Sequence, residues 1–351
     1  MRRFAGLTLL IFALIAVLGT VGFCATTKKT ATKKPAAKPK ATSTAHYVQG
    51  TTQLKGEYAD FGTTYTLGKE SPLNITIKSA EYSVEPVKIG EMLYVPTAEE
   101  KLLVLHMVYH NPQPSEQYVR WDTLGFTVVD PQSQNHDGLK DLGMEKDKLG
   151  CSMSMKPAQK IEVYGVMMVP AAAEMPKLII KSSDELVLRY NLKGKVKGLQ
   201  APFADPADKT GATALATINA QMGTYYPFGE FSVKIDSAEY SDKTQMADIE
   251  LEEGQRFLVV QMGVKNVSAG NQFLRWDSIT SKVTDTDDTD VSDCRDMLQK
   301  SKDKSFSADV KPGQELTVRC IYIIPDDTDL KSLSEQLGEG RTFIFDLSGV
   351  K

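Results

Sequence analysis

The chain aligns with itself. Arg120-Trp121-Asp122 recurs as Arg275-Trp276-Asp277, and these triplets hold both tryptophans of the 351-residue sequence. At the same offset of 155 residues, Leu103-Val104-Leu105 meets Leu258-Val259-Val260, and Asn111 meets Asn266. Lys156-Pro157-Ala158-Gln159 meets Lys311-Pro312-Gly313-Gln314, Pro170 meets Pro325 and Gly194 meets Gly349. Ahead of Glu100 the offset becomes 158, and Ser79-Ala80-Glu81-Tyr82 meets Ser237-Ala238-Glu239-Tyr240. A period this long exceeds a solenoid unit, so each copy is expected to be a domain with its own core. The repeat is also an internal control. Chemistry essential to both copies needs its residue types twice.

Within each copy the periodicity is that of strands. Leu103, Leu105, Met107 and Tyr109 alternate with Val104, His106, Val108 and His110, and Leu258, Val260, Met262 and Val264 alternate with Val259, Gln261, Gly263 and Lys265. Period two with β-branched and aromatic residues predicts half-buried strands, and Asn111-Pro112, Asp130-Pro131 and Pro312-Gly313 supply turns between them. Helical spacing occurs at Leu330, Leu333 and Leu337, closed by Gly338, and a short helix is also expected over Ala212–Gln221. The fold class read from this pattern is all-β, with two tandem immunoglobulin-like antiparallel sandwiches of about seven strands each.

The domain plan follows. Residues 1–25 read as a signal peptide: Arg2 and Arg3 precede a nearly unbroken apolar run from Phe4 to Phe23, and Ala25 fits a cleavage site. The same run is long enough to serve as an uncleaved anchor, and Cys24 is a candidate lipidation site behind a bulky Phe23. Residues 26–46 form a Lys/Ala/Thr/Pro tether that lacks apolar side chains to bury. Residues 47–197 and 223–351 are the two domains, and 198–222 is their linker. The expected location is secreted or extracytoplasmic, with the lysines of the tether available to a membrane or wall polymer. Residues 1–45 carry two arginines, six lysines and no acid; the remainder holds 33 basic against 45 acidic residues, a charge of −12. Nucleic-acid binding needs a basic face and is not expected of such domains.

One series of motifs resembles a known family. It comprises Glu253-Gly254-Gln255-Arg256-Phe257-Leu258-Val259-Val260, Val264-Lys265-Asn266, Lys311-Pro312-Gly313-Gln314 and the apolar strand that ends at Pro325. It is similar to the exported bacterial immunoglobulin-like domains typified by the mycobacterial immunoprotective extracellular antigen. The resemblance implies the fold and export, and no catalytic residues. The first copy departs from the series at Tyr109-His110-Asn111 and at Ala158, where the second has Gly313.

Several constellations carry candidate chemistry. In a strand, Trp121 and Trp276 would face one side while Arg120 with Asp122, and Arg275 with Asp277, share the other. This reads as a core Trp with a surface ion pair worth about 0–1 kcal/mol, or as a ligand contact repeated once per domain. Cys151, Met153 and Met155 at alternate positions suit Cu(I), but the second copy has Phe306, Ala308 and Val310 there. The acidic loop Asp285, Asp287, Asp288 and Asp290 offers carboxylates to Ca²⁺, although it lacks an EF-hand's Gly and closing Glu. Cys294 and Cys320 are a candidate disulfide; in the chain-entropy account its loop of about 26 residues stabilises by roughly 3 kcal/mol. The first copy has Leu139 and Gly165 there. His106 and His110 lie about 13 Å apart along a strand, too far to share a metal. His136 sits in a polar turn and His46 in the tether. No serine-triad or P-loop motif occurs. The reading is therefore a non-catalytic, cofactor-free exported envelope or surface protein whose modules bind a protein or polymer. The alternative is an extracytoplasmic metal-binding protein, using the Asp285 loop or the Cys151 strand.

Overall fold

A computed structural model describes residues 49–350, so the signal or anchor segment and the tether lie outside the described residues. No helix is found among the described residues, and none there is long and apolar enough to cross a membrane. The alternating runs form long central strands: Leu73–Ser83, Glu100–His110 and Lys160–Pro170, then Phe231–Ser241, Gln255–Asn266 and Glu315–Pro325. In the first half the sheet order is Tyr65–Leu67, Leu73–Ser83, Glu100–His110, Lys160–Pro170 and Asp141–Met144. A second sheet of Val187–Asn191, Lys177–Lys181, Gly125–Val129 and Asn135–Asp137 belongs to the same half. The second half repeats this arrangement, with Phe231–Ser241, Gln255–Asn266, Glu315–Pro325 and Asp296–Gln299 in one sheet and Thr342–Asp346, Leu330–Gln336 and Thr280–Asp285 in the other. The fold is an all-β assembly of antiparallel sandwiches, and each half has its own large apolar core.

The repeat extends to backbone irregularities. Leu73–Ser83 carries a register shift between Ile77 and Ser79, and Phe231–Ser241 carries one between Ile235 and Ser237, 158 residues later. Asn111 and Asn266 are both fully buried staples. Asn111 Nδ2 donates to the carbonyls of Ser115 (2.8 Å) and Met155 (3.1 Å); Asn266 Nδ2 donates to those of Gly270 (2.7 Å) and Val310 (2.8 Å). Backbone carbonyls at strand ends have to find donors, and one amide in each half supplies them.

Ala158 departs from this symmetry. Its φ is 59°, in the left-handed region, and its counterpart Gly313 sits at 72°. A Cβ there is strained by about 1 kcal/mol. Ala158→Gly is therefore expected to raise stability by about 1 kcal/mol, or roughly 2–4 °C in Tm. Thermal unfolding checks this; a lower Tm contradicts it.

Three sequence expectations are corrected. The central strands are covered on parts of both faces. Val104 and Leu102 pack with Ile89, Tyr164 and Val166 beneath the Val87–Ile89/Met92–Tyr94 hairpin. Val259 and Phe257 likewise pack with Met246, Leu298 and Ile321. The helix expected at Leu330, Leu333 and Leu337 is the strand Leu330–Gln336, paired to Thr280–Asp285 and Thr342–Asp346. A register shift opposite Thr284/Asp285 inserts one residue between Leu330 and Leu333, and that bulge mimics a helical interval. The helix expected over Ala212–Gln221 is extended chain. Ala212 and Ala214 pack on the first core, and Thr217–Ala220 pairs in parallel with Thr342–Asp346.

Of residues 198–222, then, the early part covers the first core and the later part edges the second half's sheet. Two buried cations fasten this junction. Lys101, with no solvent exposure, donates from Nζ to the carbonyls of Ala171 (3.0 Å), Ala173 (2.7 Å) and Ala212, and lies 4.4 Å from the Tyr82 ring centroid. Burial pulls its pKa down to about 8. Its counterpart Arg256 stacks 3.6 Å from the Tyr240 ring centroid, so the cation–π pair is itself repeated. Arg341 donates to Leu215 O (3.0 Å), Thr97 O (3.1 Å) and Glu100 O (2.5 Å), while Ala98 N donates to Glu339 O (2.9 Å). These contacts join the last strands of the second half to the first.

Candidate functional site

The Arg-Trp-Asp triplets are turns. In Gln117–Val119 and Gln272–Leu274, Val119 and Leu274 point into the cores, which places Tyr118 and Phe273 outward, 56% and 54% exposed. The chain then reverses. Thr123 N donates to Arg120 O (3.1 Å) while Arg120 N donates to Thr123 Oγ1 (2.8 Å). In the second half, Ser278 N donates to Arg275 O (3.0 Å) and Arg275 N to Ser278 Oγ (3.0 Å). This reversal ends the alternation that would have carried the tryptophans inward. Trp121 and Trp276 are each 47% exposed, which corrects the expectation of a core Trp. Arg120 Nη2 donates to Asp122 Oδ2 (2.6 Å), and Arg275 Nε lies 2.5 Å from Asp277 Oδ1.

Each half therefore presents the same surface element: two outward aromatic side chains and a mutually neutralised Arg–Asp pair on a hydroxyl-capped turn. Exposed ion pairs add about 0–1 kcal/mol to stability, and exposed rings forgo the burial that usually repays an aromatic. Folding gains little from the element, and it occurs twice. Beside Tyr118 runs a groove of about 370 Å³ lined by Ser71, Gln113, Ser115, Gln117, Thr123 and Ser183 among others. A second groove of about 360 Å³ runs beside Trp276, lined by Thr280, Ser281, Lys282, Asp293 and Cys294.

Behind that second groove lies a polar cluster that sequence reasoning missed. Glu335 is fully buried. Its Oε1 accepts from Ser281 Oγ (2.8 Å) and Tyr322 Oη (3.4 Å), and its Oε2 has no partner among the described residues. Burial raises its pKa to about 8 against those two hydrogen bonds. At the equivalent places the first half holds Ile180, Phe126 and Met167, all buried and apolar. Cys294 and Cys320 complete the cluster as free, buried thiols. A hydrogen bond with Cys294, together with burial, raises the Cys320 pKa. The corresponding Leu139 and Gly165 are a size-matched pair, since a Cβ on Gly165 would meet Leu139 Cδ2 at 2.8 Å. Two medium side chains in one half replace a large and a vanishing one in the other.

The acidic loop is built as a capped hairpin. Asp285 Oδ1 accepts from the backbone N–H groups of Asp287 (2.9 Å) and Thr289 (2.8 Å), Asp290 pairs with Lys282 (2.8 Å) and Asp288 pairs with Lys331. The carboxylates are directed to separate partners, and no group of three or more His, Cys, Asp or Glu side chains among the described residues is arranged to hold a metal. Cys151 and Met155 lie in the first core, with the Cys151 thiol raised to about 11 by burial. His110 is buried against Asn74 (3.0 Å). His136 faces Asp130 (3.1 Å), and His106 lies between Glu145 and Glu81.

Comparison with known proteins adds little chemistry. No curated protein matches the chain. Among solved structures, the chain is similar to an uncharacterised β-sandwich protein from Clostridium difficile 630, at 17% identity and a TM-score of 0.30, covering 37% of this chain and 95% of that one. It is also similar to the yjhA protein from Bacillus subtilis, at 10% identity and a TM-score of 0.26, covering 36% of this chain and 98% of that one. Residues 220–336, which span most of the second sandwich, match a family described as a domain of unknown function, DUF4352.

Proposed function

We propose that this chain is a non-catalytic, exported envelope or surface protein whose two immunoglobulin-like sandwiches are tandem copies of one binding module for a protein or polymer. The observation that carries this reading is the repeated turn, with Tyr118 and Trp121 outward in one half and Phe273 and Trp276 outward in the other. Rigid exposed aromatics beside arginine are the side chains that most often anchor recognition, and loops at the end of a sandwich are where function is grafted. Export rests on the basic, apolar N-terminal segment. The test is affinity capture from the envelope extract of the source organism, using the full chain and its Trp121→Ala/Trp276→Ala double variant at low and moderate salt. Salt-resistant capture by the full chain that falls at least about tenfold in the double variant is expected, since buried aromatic anchors contribute 2 kcal/mol or more. Equal capture by both would move recognition away from the turns.

A further inference from the structure

We infer that the groove beside Tyr118 is a binding site for an uncharged polysaccharide chain. The inference deepens the binding-module reading and rests on it. The groove has one aromatic wall, the exposed Tyr118, and a floor of hydroxyls and amides from Ser71, Gln113, Ser115, Gln117 and Ser183. A sugar ring has the matching chemistry. Its C–H face packs on the electron-rich face of an aromatic ring, and its hydroxyls both donate to and accept from neutral amides and hydroxyls. Gln117 Nε2 donates to Ser71 O (3.2 Å), which fixes this amide along the groove.

Charge selects among the alternatives. Glu70, Glu116 and Asp184 also line the groove, and the sequence after residue 45 carries −12. Both disfavour a polyanion such as a phosphate-bearing wall polymer. The nearby arginine is no anion receptor either, because Arg120 is already bonded to Asp122 (2.6 Å). A protein partner typically covers about 800 Å² per side, whereas here one ring stands among polar side chains. At the matching place the second half has a smaller opening of about 190 Å³, lined by Gly229, Glu230, Leu337, Gly338 and Glu339 against Pro86 and Thr97 of the first half. The residues matching Ser182, Ser183 and Asp184 are Leu337, Gly338 and Glu339, and Glu339 O is engaged by Ala98 N (2.9 Å) in the junction. The hydroxyl-lined form of the groove is therefore particular to the first sandwich.

The two tryptophans make the test direct. In the full chain carrying Trp276→Phe, Trp121 is the sole fluorescent Trp and lies on the turn between Tyr118 and Thr123, both of which line the groove. Acrylamide quenching is measured with uncharged gluco-oligosaccharide and N-acetylglucosamine hexamers at roughly 1–10 mM, with polyphosphate and oligolysine as charged controls, and with protein and glycan fractions of the organism's envelope. The expected result is protection by an uncharged hexamer that reduces quenching by about half or more, persists from about 50 to 500 mM salt, and disappears in Tyr118→Ala. Protection by oligolysine alone that salt removes would make the groove a cation site and overturn the inference. Protection only by a protease-sensitive envelope fraction would overturn the polysaccharide and leave the binding module standing. Absence of protection by every probe and fraction would overturn the inference, while the capture comparison with Trp121→Ala/Trp276→Ala decides the binding module separately.

Discussion

Raising the pH from about 5 to about 8 lowers the stability of the second sandwich by up to about 4 kcal/mol, and Glu335→Gln removes that loss. The cause is the buried carboxyl. Its pKa is about 8 in the fold and 4.5 for the free side chain. Below about pH 4.5 both the folded and the unfolded forms hold the proton. Between the two values the unfolded chain releases it and the fold keeps it, so each pH unit costs about 1.4 kcal/mol. The stabilising contribution is thus fully present in acid and is lost as pH rises through about 8. His110, whose pKa burial and Lys160 lower, works in the opposite direction, so the wild-type slope alone understates the effect. The difference between wild type and Glu335→Gln in urea unfolding isolates it. A difference that stays the same at pH 5 and pH 8 would contradict a neutral, buried Glu335. Glu335→Ile, which copies Ile180 of the first sandwich, is expected to be flat with pH as well.

Arg341→Leu is the second large effect. Arg341 is buried, and its guanidinium reaches three carbonyls on the first sandwich and the connecting segment. Burial lowers its pKa to about 10, so it remains charged at neutral pH. Hydrogen bonds to a charged group contribute roughly 1.5–3 kcal/mol each, and the carbonyls left behind lose their donor. Leucine occupies this place in the first sandwich, as Leu186, and keeps the volume. The variant is expected to weaken the junction by about 3 kcal/mol or more, and to split a single calorimetric unfolding transition into two. One unchanged transition would show that the junction holds without Arg341.

The strand ladder was legible in the sequence because the repeat constrained it. Lys160–Pro170 and Glu315–Pro325 are related by the offset of 155 found from the tryptophans alone. Failures came where side-chain direction departs from simple period. Alternation from Val119 carries Trp121 inward, and the turn at Arg120–Thr123 reverses it. Asp122-Thr123 and Asp277-Ser278 were the available signals, since such residues favour capped turns. The Leu330–Leu333 interval looked helical because a bulge added one residue and because the next inward position is a carboxylate, Glu335, not a hydrophobe. Glu335 was invisible for the same reason: nothing local distinguishes a buried acid from a solvated one. The Tyr118 groove brings together residues more than a hundred positions apart, from Ser71 to Ser183, and only the fold makes them neighbours.

The central claim is that the two turns act as paired recognition elements. The most direct test compares the full chain with Trp121→Ala, Trp276→Ala and the double variant for retention on immobilised envelope material. Two linked sites multiply retention, so each single variant is expected to lose about tenfold or more and the double variant to lose nearly all of it. Retention that is unchanged in all three variants would place recognition elsewhere and leave the exposed tryptophans without a role in binding.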